Sequence, residues 1–257
     1  MLTFRNINIL YCCLLVLLIG LHIGIGMPVF VYPLLLLLYS LIVFWGCINI
    51  SSGFFIPVIC SGETDKKEIA ISFDDGPAIN YTAQILQILS TEKVKAAFFC
   101  IGNRINGNEM LLKQVYDEGH IIGNHSYSHH FWFDMFSSGK MLKDMQLMDE
   151  AMQNVTGQKP ALFRPPYGVT NPNLKKAITK GNYIPVGWNV RSLDTVIKDE
   201  KKLFDKIMAG LKPGAIFLFH DTSETTLKVL PVFIQEVKKQ GYHIVPLDKL
   251  LHLTPYA

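Results

Sequence analysis

Residues 68–77, Glu68-Ile69-Ala70-Ile71-Ser72-Phe73-Asp74-Asp75-Gly76-Pro77, join a short apolar run to an abrupt polar stop. The run over 69–73 reads as one strand, and Asp-Gly-Pro beyond it is strong turn chemistry. Working outward toward the C-terminus, apolar runs of this kind alternate with amphipathic stretches. The pattern predicts strands at 69–73, 96–101, 120–123, 162–163, 184–188, 215–219 and 243–245. It predicts helices around 82–92, 109–118, 140–155, 174–180, 203–211 and 227–239. Strand-helix repetition argues for an α/β protein with a parallel sheet covered by helices. About seven strands suit either an open doubly wound sheet or a distorted, incomplete (β/α) barrel. In both, ligands sit at the carboxyl ends of the strands.

Upstream, the sequence changes character. From residue 6 to residue 62, 57 consecutive positions carry no Asp, Glu, Lys or Arg. Within that stretch, 9–26 and 29–50 are each long enough to cross about 30 Å of hydrocarbon at about 1.5 Å per residue. Only Met27-Pro28 breaks them. The expectation is a transmembrane helical hairpin within residues 1–62, with Tyr32, Tyr39 and Trp45 near the interfaces, followed by one folded domain over 63–257. A cleaved signal peptide fits less well, because the second run is as apolar as the first and no cleavage site followed by polar sequence precedes Ser51. An integral protein of the cytoplasmic membrane follows. Arg5 and Lys66-Lys67 lean toward a cytoplasmic domain, but Glu63, Asp65 and Glu68 dilute that vote.

A chain that is 49% hydrophobic and 18% charged is not disordered. Beyond residue 62 the charges nearly balance, and no basic patch with interleaved aromatics suggests nucleic acid as a partner. Cys12, Cys13 and Cys47 lie in the uncharged stretch, leaving Cys60 and Cys100, so the cysteines read as free thiols rather than a disulfide framework.

Polar groups capable of chemistry fall just past the predicted strands. Asp74 and Asp75 are adjacent carboxylates whose mutual repulsion a metal ion or a neighbouring cation would relieve. With twelve Asp in the chain, such a pair is weak taken alone. His125 and His129, at i and i+4, would share one divalent ion if they project from one face of a helical turn; His130 would point away and serve structure. In Arg164-Pro165-Pro166-Tyr167-Gly168 the prolines remove amide donors, so the next free N–H groups, at Tyr167 and Gly168, sit in a rigid turn where an oxyanion could form. Arg164 is suited to orient a carboxylate. His220 ends the 215–219 strand as a candidate general acid, with Asp194 as its partner. Each feature has a bland alternative as turn, surface or core residue, but these do not jointly explain four features in order at strand ends.

Ser72-Phe-Asp-Asp-Gly-Pro77, His125-Ser-Tyr-Ser-His129, Arg164-Pro-Pro-Tyr-Gly168 and Leu218-Phe-His220 resemble four of the five signature motifs of the polysaccharide deacetylases, the NodB-homology or family-4 carbohydrate esterases. The resemblance covers about residues 68–250 and implies a distorted (β/α) barrel with fewer than eight units. It implies Asp74 as general base and Asp75, His125 and His129 as ligands of one divalent ion, zinc or cobalt. It further implies Arg164 orienting the base, the Tyr167 amide facing the oxyanion, Leu218 lining the acetyl pocket, and His220 protonating the leaving amine with Asp194 tuning it. Where the family's fourth motif reads Asp-Trp, this chain has Asp194-Thr195, so an aromatic wall of the pocket is missing at that position.

The reaction so implied is hydrolysis of an N-acetyl group on an N-acetylhexosamine. The substrate is then an envelope or secreted polysaccharide met on the outer face of the membrane. A lipid-linked sugar, compatible with the cytoplasmic face, is the alternative. A catalytically silent, membrane-bound carbohydrate-binding protein is a third reading, which has no need of both Asp74 and His220.

Overall fold

The computed structural model describes residues 2–257. Its sheet has eight strands: β1 Glu68–Asp74, β2 Ala97–Cys100, β3 Ile121–Asn124, β4 Leu162–Phe163, β5 Ile184–Pro185, β6 Val190–Arg191, β7 Ile216–His220 and β8 His243–Ile244. They run parallel in the order β5-β4-β3-β2-β1-β7-β6, and β8 pairs with the start of β1. β5 and β6 lie at opposite ends of that order, yet only residues 186–189 separate them in the chain. Five Cα steps reach at most about 18 Å. The sheet therefore curls until its edges approach, which is the incomplete (β/α) barrel expected. One strand escaped the sequence reading: β6 is two residues long, and only Val190 marks it as apolar.

Helices α3 Thr82–Thr91, α4 Glu109–Asp117, α5 Ser138–Thr156, α6 Pro172–Gly181, α7 Glu200–Met208 and α8 Glu224–Lys239 cover the outside, and α9 Leu247–Leu251 follows β8. α9 was not expected, because five residues are too few to display a helical period. Along β1, Ile69, Ile71 and Phe73 pack outward with Leu86 and Leu89 of α3 and Phe233 of α8. Ala70 packs inward with Phe99, Val186 and Ile216, and Leu247 and Leu250 of α9 join this inner layer. The two-residue period of a strand then carries Ser72 and Asp74 to the inner face. The β1–β7 register sets Leu218 opposite Ser72 and His220 opposite Asp74.

The uncharged stretch forms α1 Phe4–Ile25 and α2 Val31–Ile48, an antiparallel pair that fits a membrane anchor. α1 begins earlier than the apolar pattern suggested because the Thr3 side chain caps it, accepting from the Asn6 N–H. Gly26, at φ 71°, ends it in the left-handed conformation. Most of the apolar side chains of the pair face outward without a protein partner. The end of the hairpin that carries the N-terminus is tied to the barrel. The Phe4 N–H donates to the Phe54 carbonyl at 2.9 Å, and the Thr170 N–H to the Cys47 carbonyl at 2.9 Å. Ile7, Phe54, Phe55 and Ile56 share a core cluster with Leu174, Ala177 and Ile178 of α6.

Candidate active site

Asp74, the last residue of β1, is 3% exposed on the inner face, where an isolated carboxylate would be costly. Arg164, just past β4 and fully buried, resolves this. Its Nη1 donates to Asp74 Oδ1 at 2.7 Å and to Ser72 Oγ at 2.8 Å, while Nε and Nη2 donate to the carbonyls of Val186 and Gly187. The guanidinium lies 3.9 Å from the centroid of the Phe99 ring. A group fixed by four acceptors and an aromatic face has one geometry to offer, so the Asp74 carboxylate is held in place.

Asp75, His125 and His129 present ligand atoms that all lie within 4.8 Å of one another. Asp75 Oδ1 is 3.6 Å from His125 Nε2 and 3.5 Å from His129 Nε2. His125 Nδ1 lies 2.8 Å from the Arg164 carbonyl oxygen, which can only accept. That contact puts a proton on Nδ1 and makes Nε2 the nitrogen that faces Asp75 and can act as a ligand. Burial, and secondarily His125, push the His129 imidazole down to about 4, so it is a neutral donor at pH 7. One carboxylate and two imidazoles converging on one point fit a borderline divalent ion with open positions for water and substrate.

The two histidines do not stand on a helical turn as expected. Residues 125–130 form an irregular loop in which Ser126 and His129 have positive φ, 65° and 42°. Asp144 of α5 accepts from the N–H groups of Tyr127 and Ser128, and Asn124 Oδ1 accepts from the Ser126 N–H. These bonds, not helical spacing, bring the two rings to 4.9 Å. His130 turns away, its Nδ1 accepting from the Trp132 N–H.

In the Pro-Pro turn, Tyr167 adopts φ 59°, and the Gly168 N–H donates back to the Pro165 carbonyl. Of the two candidate amides, only that of Tyr167 keeps its N–H without a protein acceptor. The Tyr167 ring sits 4.7 Å from that of His129, so the turn borders the ligand cluster.

Across the inner face, His220 Nδ1 bonds Asp194 Oδ1 at 2.7 Å, and the His220 N–H donates to Asp194 Oδ2 at 2.7 Å. Burial opposes the charged imidazole, but the Asp194 hydrogen bond and the charges of Asp194, Asp74 and Asp75 outweigh it, and His220 is pushed up to about 9. Ser192 and Thr226 hydroxyls also donate to Asp194, which is fully buried. Leu218, 2% exposed, lies one inward position below His220. All nine residues singled out in the sequence thus border one inner face at the strand ends.

Several supports have no role in the sequence reading. Ser72 links Arg164 to the strand, Arg104 Nη1 donates to the Asp75 carbonyl at 2.6 Å, and Ser192 and Thr226 complete the Asp194 pocket. A hydroxyl's role is fixed by register and packing rather than by its own residue type. Thr195 is exposed, whereas Trp188, in the crossing from β5 to β6, packs so close to Gly168 that a Cβ there would meet its ring at 2.7 Å. An aromatic wall thus stands beside the Tyr167 turn, supplied from a different element.

The polysaccharide deacetylase family model matches residues 61–186. The peptidoglycan-N-acetylmuramic acid deacetylase PdaA of Bacillus subtilis is 33% identical over 194 residues, 74% of this chain and 73% of its own. A crystal structure of a peptidoglycan N-acetylglucosamine deacetylase superposes with a TM-score of 0.74 at 27% identity, covering 78% of this chain and 95% of that one. A family-4 carbohydrate esterase pseudoenzyme from Bacillus anthracis gives a TM-score of 0.70 at 28% identity, over 75% and 68% of the two chains.

Proposed function

The chain belongs to the polysaccharide deacetylase family, and from that premise we propose that it removes N-acetyl groups from N-acetylhexosamine residues of a cell-wall polysaccharide with the help of one divalent ion, zinc or cobalt. The observation that carries this reading is the convergence of Asp75, His125 and His129 beside a carboxylate clamped by Arg164 and opposite a paired His220. Likeness to a pseudoenzyme makes the completeness of that set matter, since a silent relative needs no base and acid together.

A divalent ion on Asp75, His125 and His129 would polarise the acetamido carbonyl and make water more acidic. Asp74 takes a proton from the attacking water, and Arg164 keeps its oxygen aimed at that water. As the carbonyl carbon becomes tetrahedral, the Tyr167 N–H donates to the oxygen that gains charge. Leu218 lines the space for the acetyl methyl. His220, charged through Asp194, delivers its proton to the amine nitrogen as the C–N bond breaks. The products are acetate and a free hexosamine amine.

The two apolar helices are read as an anchor in the cytoplasmic membrane, with residues 63–257 on the outer face where wall polymers lie. A lipid-linked amino sugar is the second reading. It is favoured by the rim of the site, where exposed Phe131, Trp132 and Met135 follow His129 and Met135 shares a groove with Phe44 and Ile48 of α2. Acetate release from N-acetylated wall polymer by the purified chain, measured before and after exhaustive chelation and after zinc or cobalt is returned, tests the main reading. Activity that survives chelation in metal-free protein rejects the mechanism. Turnover of a lipid-linked sugar but not of polymer rejects the substrate.

A further inference from the structure

We propose that a groove between the hairpin and α6 binds the phosphate of an anionic phospholipid from the leaflet next to the barrel. The proposal rests on the reading of α1 and α2 as membrane-spanning. The groove holds about 760 Å³ and lies where α1 begins and the chain leaves α2. Phe4, Phe54 and Phe55 form its apolar floor, with ring centroids of 5.0 Å for Phe4–Phe55 and 4.8 Å for Phe54–Phe55. Arg5, Lys175, Lys176 and Lys180 line it, and no Asp or Glu does.

None of these four cations has an ion pair or a side-chain hydrogen bond to a described residue. The arrangement on α6 has a simple cause. Leu174, Ala177 and Ile178 form its buried stripe against Phe54, Phe55 and Ile56. With that stripe turned inward, Lys175, Lys176 and Lys180 are carried to the flank that meets the hairpin. Lys176 and Lys180 are an i,i+4 pair of like charges with no carboxylate between them, an arrangement that is unfavourable until an anion joins it.

The depth of the groove selects the occupant. Arg5 lies in the first turn of α1, and Phe54–Pro57 come just after α2, so both parts of the lining sit at the water boundary of the spans. A ligand there faces cations on the barrel side and apolar rings on the hairpin side. A phospholipid has that polarity, with its phosphate toward the lysines and its glycerol and upper acyl carbons on the phenyl floor. A free inorganic anion would leave the aromatic floor without a partner.

The test uses the full chain in dodecyl maltoside micelles, with bound phosphatidylglycerol and phosphatidylcholine counted by native mass spectrometry. Wild type is expected to retain phosphatidylglycerol preferentially. At about fivefold per cation, the K175Q/K176Q/K180Q variant should lose roughly a hundredfold of that preference, and R5Q, on another element, about fivefold. Acetate release from a soluble N-acetylated oligosaccharide should not change in either variant. Equal retention of both lipids by wild type, or a preference that survives the triple substitution, overturns the site. Displacement of phosphatidylglycerol by millimolar inorganic phosphate overturns the lipid as occupant in favour of a free anion. Alkaline carbonate extraction of membranes decides the spanning reading separately, because the lipid titration is made on purified protein.

Discussion

Asp194→Asn is the substitution that most directly isolates the proposed proton donor. In the wild type, Asp194 accepts from four donors: the His220 Nδ1–H and backbone N–H, and the hydroxyls of Ser192 and Thr226. An asparagine side chain turns one oxygen, which accepts two of those four bonds, into a donor; the hydroxyl of that pair can rotate to accept, but the His220 N–H meets a donor-donor conflict, and the negative charge disappears. Burial, which lowers the His220 pKa, then acts against a much weaker opposing field, and the value should fall from about 9 to below the ordinary 6.5. Such a drop is about 3 kcal/mol of lost preference for the imidazolium. In the proposed mechanism His220 works in its protonated form, so wild-type activity should hold up to about pH 9 and fall above it. In the variant the fall begins below about pH 6.5, and at pH 7.5 under about 10% of the imidazole is charged. Acetate release measured as kcat/KM from pH 5.5 to 10 should show at least about a tenfold loss at pH 7.5 that narrows toward pH 6. A merely structural role for Asp194 would lower activity by one factor at every pH. An alkaline limb at the same pH in both proteins would refute the assignment of His220 as the acid.

Three further outcomes follow from the same geometry. His125→Ala should lose bound metal and activity together, whereas Asp74→Asn should keep the metal, by elemental analysis, and lose about 10²-fold or more in kcat; an active Asp74→Asn variant would remove Asp74 as the base. Because Trp188 already stands against the Tyr167 turn and Thr195 is exposed, Trp188→Ala should change relative rates on formyl, acetyl and propionyl substrates by about tenfold. Thr195→Trp should leave them nearly unchanged, and the reverse ranking would return the wall to position 195. Reporters active on only one side of the membrane, fused to Ala257, should place the barrel outside. A cytoplasmic result would reject the wall polymer as substrate and promote the lipid-linked sugar.

The parts of the fold legible in the sequence are those in which one element announces itself. β1 is a run of Ile, Ala and Phe cut off by Asp-Gly-Pro, and α6 carries an Asn171 cap, Pro172 in its first turn and a clean apolar stripe. β6 was illegible because a strand of two residues takes its identity from its neighbour: Val190 pairs with Phe217 only once β7 is in place. The extent of barrel closure was equally hidden, since it depends on which strands become edges, and the chain from Pro185 to Val190 joins the two edges without any residue pattern that says so.

The site divides along the same line. Residues assigned to the proposed chemistry close a strand, as Asp74 and His220 do, or come directly after one, as His125 and Arg164 do, so their positions could be read once the strands were placed. Residues that hold them come from wherever the fold brings a hydroxyl or a carboxylate, as Asp144 reaches the 125–130 loop from α5 and Thr226 reaches Asp194 from α8. The His125–His129 pair marks the limit sharply. Its spacing suggested two neighbouring rings for a reason that does not apply, because a loop with two positive-φ residues, rather than a helical turn, brings them together. The basic groove repeats the lesson at the membrane boundary. Arg5 is the one charge the sequence places in that groove, and folding adds three lysines from α6, so the field a bilayer would meet there belongs to the tertiary structure.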